Sequence, residues 1–209
     1  MKEIIPAILS HTKENLIYKL SKIEKHFSTA QIDIMDGKFV EDTTIQASDL
    51  EDLNYNLDFE IHLMVENPGS YINDFADAKR IIFHIEAVEE PEIPDLIKRI
   101  RREGAQVGIA LNPETPAERI IPYLEMIHLA LVMTIYPGAG GRELLPETIG
   151  KIKYIRKFAR DIDVEVDGGI NEDTIQGCIE AGANKLVIGS AIYDSEDIDA
   201  AIRRLKSKL

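Results

Sequence analysis

Apolar positions along the chain follow two alternating patterns. Short runs rich in Ile, Val and Leu predict buried strands near residues 3–8, 29–34, 58–64, 80–86, 106–111, 127–133, 162–167 and 184–189. The segments between them carry apolar residues at helical spacing, with stripes that begin at Leu16, Ile93, Ile149 and Ile198. Eight strands alternating with helices in 209 residues predict the α/β class, as a single (β/α)8 TIM barrel with parallel strands.

Proline, glycine and serine residues indicate where some of these helices begin and end. Pro146 suits a helix start, Gly104 suits a helix end, and Ser195 is the expected N-cap of the last helix. Residues 41–56 are mostly polar, so any helix there should be short. A doubly wound open sheet is the alternative fold, but a G-x-G-x-x-G after the first strand is missing. No linker divides the chain, so residues 1–209 are expected to form one domain.

The net negative charge of the chain limits the partners that it can bind. With 37 Asp and Glu against 24 Lys and Arg, the formal net charge is -13, which argues against nucleic acid or an anionic membrane as a partner. No apolar run approaches the ~20 residues of a membrane span, and the Met1-Lys2-Glu3 start lacks a signal-peptide pattern. We therefore expect a cytoplasmic protein. Its single cysteine, Cys178, lies beside Ile175 and Ile179 in a predicted helix and is expected to pack in the core.

Acidic residues stand inside strands that otherwise have the composition of buried strands. Asp33 lies between Ile32 and Ile34, and Asp167 ends the seventh strand. In a parallel barrel the C-terminal ends of the strands meet at one mouth, where the chemistry takes place. Two carboxylates facing each other there can remove a proton from a carbon and return one from the far side, which inverts a stereocentre. Asp33 and Asp167 are therefore the expected catalytic pair, whereas Asp36 is expected to brace a turn.

Histidines in the third and fourth strands extend this pattern. His62 has the inward parity, and a histidine together with carboxylates makes a suitable ligand set for Zn²⁺ or another divalent ion. His84 in the next strand is either a hydrogen-bonded core residue or a support for the ligands. The other three histidines lack such a context and are expected to be ordinary: His11, His26 and His128.

Glycine-rich turns follow the last three predicted strands. Backbone N–H groups in such turns bind phosphate without basic side chains. In this barrel the phosphate-binding site is usually formed by the loops after strands seven and eight. The expected phosphate contacts are Gly138, Gly140, Gly141, Gly168, Gly169, Gly189 and Ser190. Three methionines end strands at the same rim and are either core filler or an apolar layer over the reacting atoms: Met35, Met64 and Met133.

The order and spacing of several short motifs are specific when taken together. They are Pro6–Ser10, Asp33–Gly37, His62–Pro68, Phe83–Ala87, Ala110–Pro116, Val132–Thr134, Pro137-Gly138, Gly140-Gly141, Val166–Ile170 and Gly189-Ser190. Along essentially its whole length the chain thereby resembles the ribulose-phosphate 3-epimerase family. The resemblance implies a (β/α)8 barrel that interconverts ribulose 5-phosphate and xylulose 5-phosphate.

The resemblance also implies roles for single residues. In the family, the aspartates matching Asp33 and Asp167 are the acid/base pair and also bind a divalent metal, and the histidine matching His62 is a further ligand. Gln31 stands where the family has another metal-ligating histidine. The implied cofactor is a divalent ion: Zn, Fe, Mn or Co. Substrate contacts are expected from the glycine turns and the methionines, and from Ser10, His62 and Arg142.

Several positions depart from the family pattern, among them Lys38, Tyr136 and Ala139, and three of the departures bear on metal or substrate binding. Gln31 offers a neutral amide oxygen, a poor Zn²⁺ ligand beside imidazole, so weakened or altered metal binding is expected. Ala7 replaces a serine and removes a substrate-binding hydroxyl. Arg142 replaces a glutamine in the loop after the sixth strand and would add a charged, bidentate phosphate donor.

These departures keep other functions open. The chain could be a non-catalytic or metal-altered sugar-phosphate-binding barrel, or an epimerase that acts on a hexulose phosphate. Related barrels that perform decarboxylation or aldol chemistry use Asp-x-Lys-x-x-Asp on an early strand, and here Met35 stands at the lysine position. The expected partner is a small sugar phosphate, with a homo-oligomer left open.

Overall fold

Eight parallel strands close into a ring in the computed structural model, which describes residues 2–209. Each strand pairs with its neighbour in sequence, and the last pairs with the first. The strands are β1 (Glu3–Ile8), β2 (Thr29–Met35), β3 (Asp58–Met64), β4 (Arg80–His84), β5 (Gln106–Leu111), β6 (Leu129–Met133), β7 (Asp163–Asp167) and β8 (Lys185–Ile188). The prediction of a (β/α)8 barrel is therefore confirmed, and every predicted strand is present.

Helices cover the outside of this ring. They are α1 (Lys13–Ile23), α2 (Ala47–Leu50), α3 (Ile93–Arg102), α4 (Ile149–Phe158), α5 (Ile175–Ala181), α6 (Ser190–Tyr193) and α7 (Ile198–Lys206). As expected, the polar segment 41–56 forms only a short helix. The connection from β3 to β4 has only 3-10 turns, and so does that from β5 to β6, where Pro122 interrupts residues Ala117–Met126. Among residues 2–209, no helix is both long and apolar enough to span a bilayer.

Two of the three predicted helix boundaries are confirmed and one is wrong. Gly104 has φ +92° and follows Glu103, the C-cap of α3, and Pro146 begins a 3-10 turn that leads into α4. The N-cap of α7 is Asp197, whose side chain accepts the Ala200 N–H, rather than Ser195. The reason is that an N-cap must immediately precede the first helical residue, and α7 begins at Ile198.

The main apolar core lies between the strands and the helices. Outward-facing strand residues such as Ile32 and Leu63 pack there with the buried stripe of α1, formed by Leu16, Leu20 and Ile23. Cys178 is fully buried in α5, and burial raises the pKa of its thiol to about 11, so its predicted packing role is confirmed.

The inside of the ring holds two apolar clusters and a group of charged side chains. One inner cluster is formed by Ile82, Ala110, Leu129, Leu131, Met133 and Ile135, and a smaller one by Ile5, Ala7 and Val187. At the N-terminal end of the strands, Arg80 pairs with Glu60, and the Lys185 Nζ lies 2.7 Å from a carboxylate oxygen of Glu3. Glu165 is buried beside them, and neither of its carboxylate oxygens has a hydrogen-bond partner among the described residues. Charged side chains thus fill the N-terminal half of the interior.

Candidate active site

The strand register brings the predicted acids and histidine together. Asp33 in β2 is directly opposite His62 in β3, and Asp167 ends β7. The Asp33 Oδ1 lies 3.2 Å from the His62 Nδ1, and the Asp167 Oδ2 lies 3.5 Å from that nitrogen. Candidate ligand atoms from all three side chains lie within 4.8 Å of one another. They converge at the C-terminal end of the barrel, where the chemistry of this fold takes place.

Gln31 lies at the centre of this group. Its Nε2 donates to the Asp33 Oδ1 at 2.9 Å and to the Asp167 Oδ2 at 2.7 Å, and lies 3.3 Å from the His62 Nδ1. The Gln31 Oε1 is buried and has no hydrogen-bond partner among residues 2–209. A carboxamide therefore cross-links the two acids, and one of its two polar atoms is left unsatisfied.

The two acids raise the pKa of His62. Burial alone would lower the pKa of His62, but hydrogen bonds to Asp167 and Asp33 raise it to about 9. Burial, and the charge of His62, lower the pKa of His84, which keeps that ring neutral. The two Nε2 atoms lie 2.9 Å apart, so the His62 N–H can donate to His84. His84 therefore lies directly behind His62, where it can fix the orientation of the ring.

The two carboxylates do not have equivalent surroundings. Burial raises the pKa of Asp33, and the nearby charge of Asp167 adds to that rise, while hydrogen bonds from His62 and Gln31 oppose it. A raised pKa favours the protonated carboxyl, which is the form that acts as a general acid. The surroundings of Asp33 therefore shift its carboxyl toward the protonated form.

A cavity of about 230 Å³ opens above the acids. Asp33 and Asp167 form part of its floor, and most of the predicted contacts line it: Met35, Met64, Met133, Gly138, Gly140, Gly141, Gly168, Gly169, Gly189 and Ser190. Gln31 and His62 do not line it, because both are fully buried beneath the carboxylates. The structure therefore groups the methionines and glycine turns around the acid pair.

Besides His62, two predicted substrate contacts lie away from this cavity. Ser10 is fully buried, and its hydroxyl donates to the Asn15 Oδ1 at 2.6 Å. Arg142 is exposed and is not among the lining residues. Asp36 braces a turn as predicted, because its carboxylate accepts the N–H groups of Lys38, Phe39 and Glu66.

Two glycines at the cavity wall are required by the backbone. Gly168 has φ +117° and Gly169 has φ +66°, which is the left-handed region that favours glycine. A Cβ at Gly168 would collide with the side chain of Ile135, and one at Gly169 would collide with the backbone of Leu144. The turn after β7 therefore packs too tightly for any side chain.

Sequence reasoning missed three polar residues that line the cavity: Lys19, Tyr193 and Asp194. Lys19 could have been found, because it stands three residues after Leu16 and four before Ile23, within the buried stripe of α1. A lysine in such a stripe must direct its ammonium group past the core to a polar opening.

Acids, an imidazole and glycine turns at the C-terminal end of a parallel barrel define a TIM-barrel enzyme. The solved 3-hexulose-6-phosphate synthase of Salmonella typhimurium has the same fold, with a TM-score of 0.75 and 17% identity, and the match covers 100% of this chain and 98% of that one. Within this class the chain belongs to the ribulose-phosphate 3 epimerase family, whose model matches residues 3–193.

Full-length relatives support this assignment. The ribulose-phosphate 3-epimerase of Schizosaccharomyces pombe is 35% identical over 215 residues, covering 99% of this chain and 93% of that protein. The ribulose-phosphate 3-epimerase of Bacillus subtilis is 36% identical over 214 residues, covering 99% of both. The chain is therefore classed as an isomerase, in an epimerase family that acts on carbohydrates, and the resemblance seen in the motifs is confirmed.

Proposed function

We propose that this protein inverts C3 of a ketopentose phosphate and thereby interconverts ribulose 5-phosphate and xylulose 5-phosphate. The observation that supports this most directly is the pair Asp33 and Asp167, held by one amide donor on the floor of a single cavity. The relatives described above carry the name of that activity.

The chemistry needs one acid and one base. The C2 carbonyl of the ketose acidifies the C3 proton, so a carboxylate on one face can remove it and leave an enediolate. The carboxyl on the other face then returns a proton to C3, which inverts the centre and restores one protonated and one ionised acid. Asp33 is assigned as the proton donor of the pair, because burial and the charge of Asp167 raise its pKa, and Asp167 is assigned as the base.

The residues around the cavity position the substrate. Met35, Met64 and Met133 form an apolar layer against the reacting carbons, which limits the access of water to the enediolate. The phosphate would accept N–H groups from the turns that contain Gly138, Gly140, Gly141, Gly168, Gly169, Gly189 and Ser190. Ser10 and Arg142 have no role in this proposal, because neither lines the cavity.

The donor set fits a divalent ion. Asp33, His62 and Asp167 would hold it, with two carboxylate oxygens and one imidazole nitrogen. The orphaned Gln31 Oε1 is consistent with a fourth ligand, because rotation of the amide would exchange its oxygen and nitrogen. When bound, a divalent ion of the Zn, Fe, Mn or Co type would stabilise the negative charge that develops on the C2 and C3 oxygens.

A direct assay tests this proposal. Purified protein is incubated with ribulose 5-phosphate in D2O, alone and with each of the four metals, while NMR follows xylulose 5-phosphate and deuterium at C3. We expect conversion accompanied by deuterium entry at C3. Absence of both conversion and exchange with every metal would reject the epimerase.

A metal-free sugar-phosphate binder is the second candidate. It is favoured by the position of the Gln31 Nε2, which already bridges both carboxylates as a cation would. Calorimetry with ribulose 5-phosphate separates the two functions, because a binder would take up the ligand without turnover or exchange. Elemental analysis of the purified protein shows whether a metal accompanies the activity.

A further inference from the structure

Lys19 is the single lysine or arginine among the described residues that line the cavity. It lies on α1, and its side chain reaches over the end of β1, where the Nζ donates to the Leu9 carbonyl at 2.7 Å. The Nζ also lies 5.1 Å from the centroid of the Tyr193 ring. An ammonium group is thus held at the cavity wall in a half-buried position.

The charge of Lys19 is not matched by a close carboxylate. Within residues 2–209, no carboxylate oxygen lies within 4.0 Å of its Nζ, although Asp194 and Asp33 act on it from farther away. Burial outweighs these two acids and lowers the pKa of Lys19. An ammonium group has three N–H donors, and Leu9 takes one of them. A half-buried cation in this condition is stabilised by an anion that can accept the other two.

The position of the ammonium group points to the phosphate. Tyr193 belongs to α6, which begins at Ser190, directly after the Gly189 turn. Lys19, Gly189 and Ser190 line the same cavity. The glycine turns offer N–H dipoles but no full charge, and the protein as a whole repels anions because its net charge is -13. A single cation beside the turns therefore has a large share of the local attraction for an anion.

We propose that Lys19 is a specificity residue that binds the phosphate of the substrate from the α1 side of the cavity. This rests on the proposed function only for the identity of the substrate, since any phosphate monoester presents the same dianion. In this arrangement the turns orient the phosphate oxygens and Lys19 offsets part of their negative charge. A sugar without phosphate gains nothing from Lys19.

A purely structural role is the rival explanation. The hydrogen bond to Leu9 joins α1 to the end of β1, so the loss of Lys19 could act only through stability. The two roles differ in what they change. A tether affects unfolding and affects all ligands alike, whereas a phosphate contact selectively affects phosphorylated ligands.

Phosphate binding by variants tests the proposal. Calorimetry measures the Kd of inorganic phosphate for wild type, Lys19→Gln, Lys19→Met and Lys19→Arg, with Lys22→Gln as the matched control on the same helix. Lys22 lies outside the cavity, with its Nζ over the Tyr18 ring. We expect Lys19→Gln and Lys19→Met to weaken binding about tenfold, which corresponds to ~1.4 kcal/mol. Lys19→Arg should lose less, and Lys22→Gln should match wild type.

Several results would overturn the proposal. They are an unchanged Kd in both uncharged variants, an equal loss in Lys22→Gln, or no phosphate binding by the wild type. Lys19→Met keeps the apolar stem of the side chain, so it remains informative if Lys19→Gln does not fold. This measurement requires no turnover, so it stands even if the epimerase assay fails.

Steady-state kinetics adds a second readout where the wild type is active. We expect the KM for ribulose 5-phosphate to rise about tenfold in Lys19→Gln with kcat nearly unchanged, which is the loss of uniform binding. The salt dependence of KM should become shallower, because a full charge that attracts the phosphate is lost and with it an interaction that salt screens. Parallel falls in kcat and Tm with an unchanged KM would instead support the structural tether.

Discussion

Gln31 links the two acids of the pair through one rotatable amide. In the orientation described, its nitrogen donates to both Asp33 and Asp167 and its oxygen is orphaned. Rotation by half a turn would place an oxygen between two carboxylates, which is unfavourable unless a cation is also present. The same side chain can therefore order the acids without a metal or contribute to binding one.

Replacing this amide with imidazole should strengthen metal binding. We expect Gln31→His to bind Zn²⁺ about tenfold or more tightly than wild type, because imidazole is a better ligand than a neutral amide oxygen. Competition with a chromophoric chelator measures the affinity, and Gln176→His, on the exposed side of α5, controls for an added histidine. Equal affinities in all three proteins would show that position 31 takes no part in metal binding.

The two acids should be separable by isotope exchange. Asp33→Asn and Asp167→Asn should each lower kcat for epimerisation by about 10²–10⁴-fold, the usual contribution of a general acid or base. Each variant keeps one acid, so each should exchange the C3 proton of only one epimer, and the two variants should act on opposite epimers. NMR in D2O reads this out for both substrates.

Asp74→Asn is the control for that experiment, because Asp74 is an exposed acid outside the cavity. It should epimerise at the wild-type rate. If both site variants exchange both epimers, the proposed division of roles between the acids is wrong.

Strand parity explains which site residues the sequence could predict. Asp33, His62 and Asp167 converge because alternation within a strand and the barrel register leave them few other positions. Ser10 and Arg142 follow strands in loops, where parity no longer applies, and neither reaches the cavity. Lys19 was missed because a long helical side chain reaches a site that its backbone position does not reveal.

At the scale of elements, strands were easier to predict than the connections between them. A buried parallel strand is rich in Val, Ile and Leu, and each of the eight strands contains at least two of these residues. The connections tolerate more variation, so the 3-10 turns at Asn73–Phe75 and Ala117–Met126 replace the helices that simple alternation would suggest. The start of α7 was misplaced because Ser195 and Asp197 are both suitable caps, and only packing selects between them.

The turn after β7 leads to a prediction about the stability of the protein. Gly168→Ala should lower the free energy of unfolding by about 2 kcal/mol or more, because it adds a Cβ at φ +117° and against Ile135. Urea unfolding followed by circular dichroism measures this change. Gly150→Ala in α4 is the control, because a Cβ there meets no atom within 4 Å, and stability should be unchanged or rise by about 0.5 kcal/mol. Equal stability of the two variants would contradict the turn geometry.

At the scale of the whole molecule, the charged residues inside the barrel make the free energy of unfolding depend on pH. Burial and the charge of Glu60 raise the pKa of Glu165 well above its usual value. A group of this kind keeps its proton in the folded state and loses it on unfolding. Its contribution to stability is therefore complete below about pH 4.5, the usual glutamate pKa, and is lost as the pH rises toward the folded pKa.

Glu165→Gln should remove that dependence. Wild-type unfolding free energy should fall by up to about 1.4 kcal/mol per pH unit from this group as pH rises above about 4.5, and the variant should show a shallower decline. Urea unfolding between pH 4.5 and 8 measures both slopes. Glu180→Gln, an exposed acid on α5, is the control and should keep the wild-type slope, and identical slopes in all three proteins would mean that Glu165 ionises normally in the folded state.

The pairing of β8 with β1 joins the two ends of the chain in one sheet. An open sheet presents a row of unsatisfied amide groups at each side, and such rows recruit strands from other chains into aggregates. A complete ring has no such sides, so the folded protein offers no template for aggregation by strand addition. Deletion of β8 would leave β1 and β7 as open edges of the sheet. Variants truncated before β8 should therefore form fibres or inclusion bodies rather than merely lose activity.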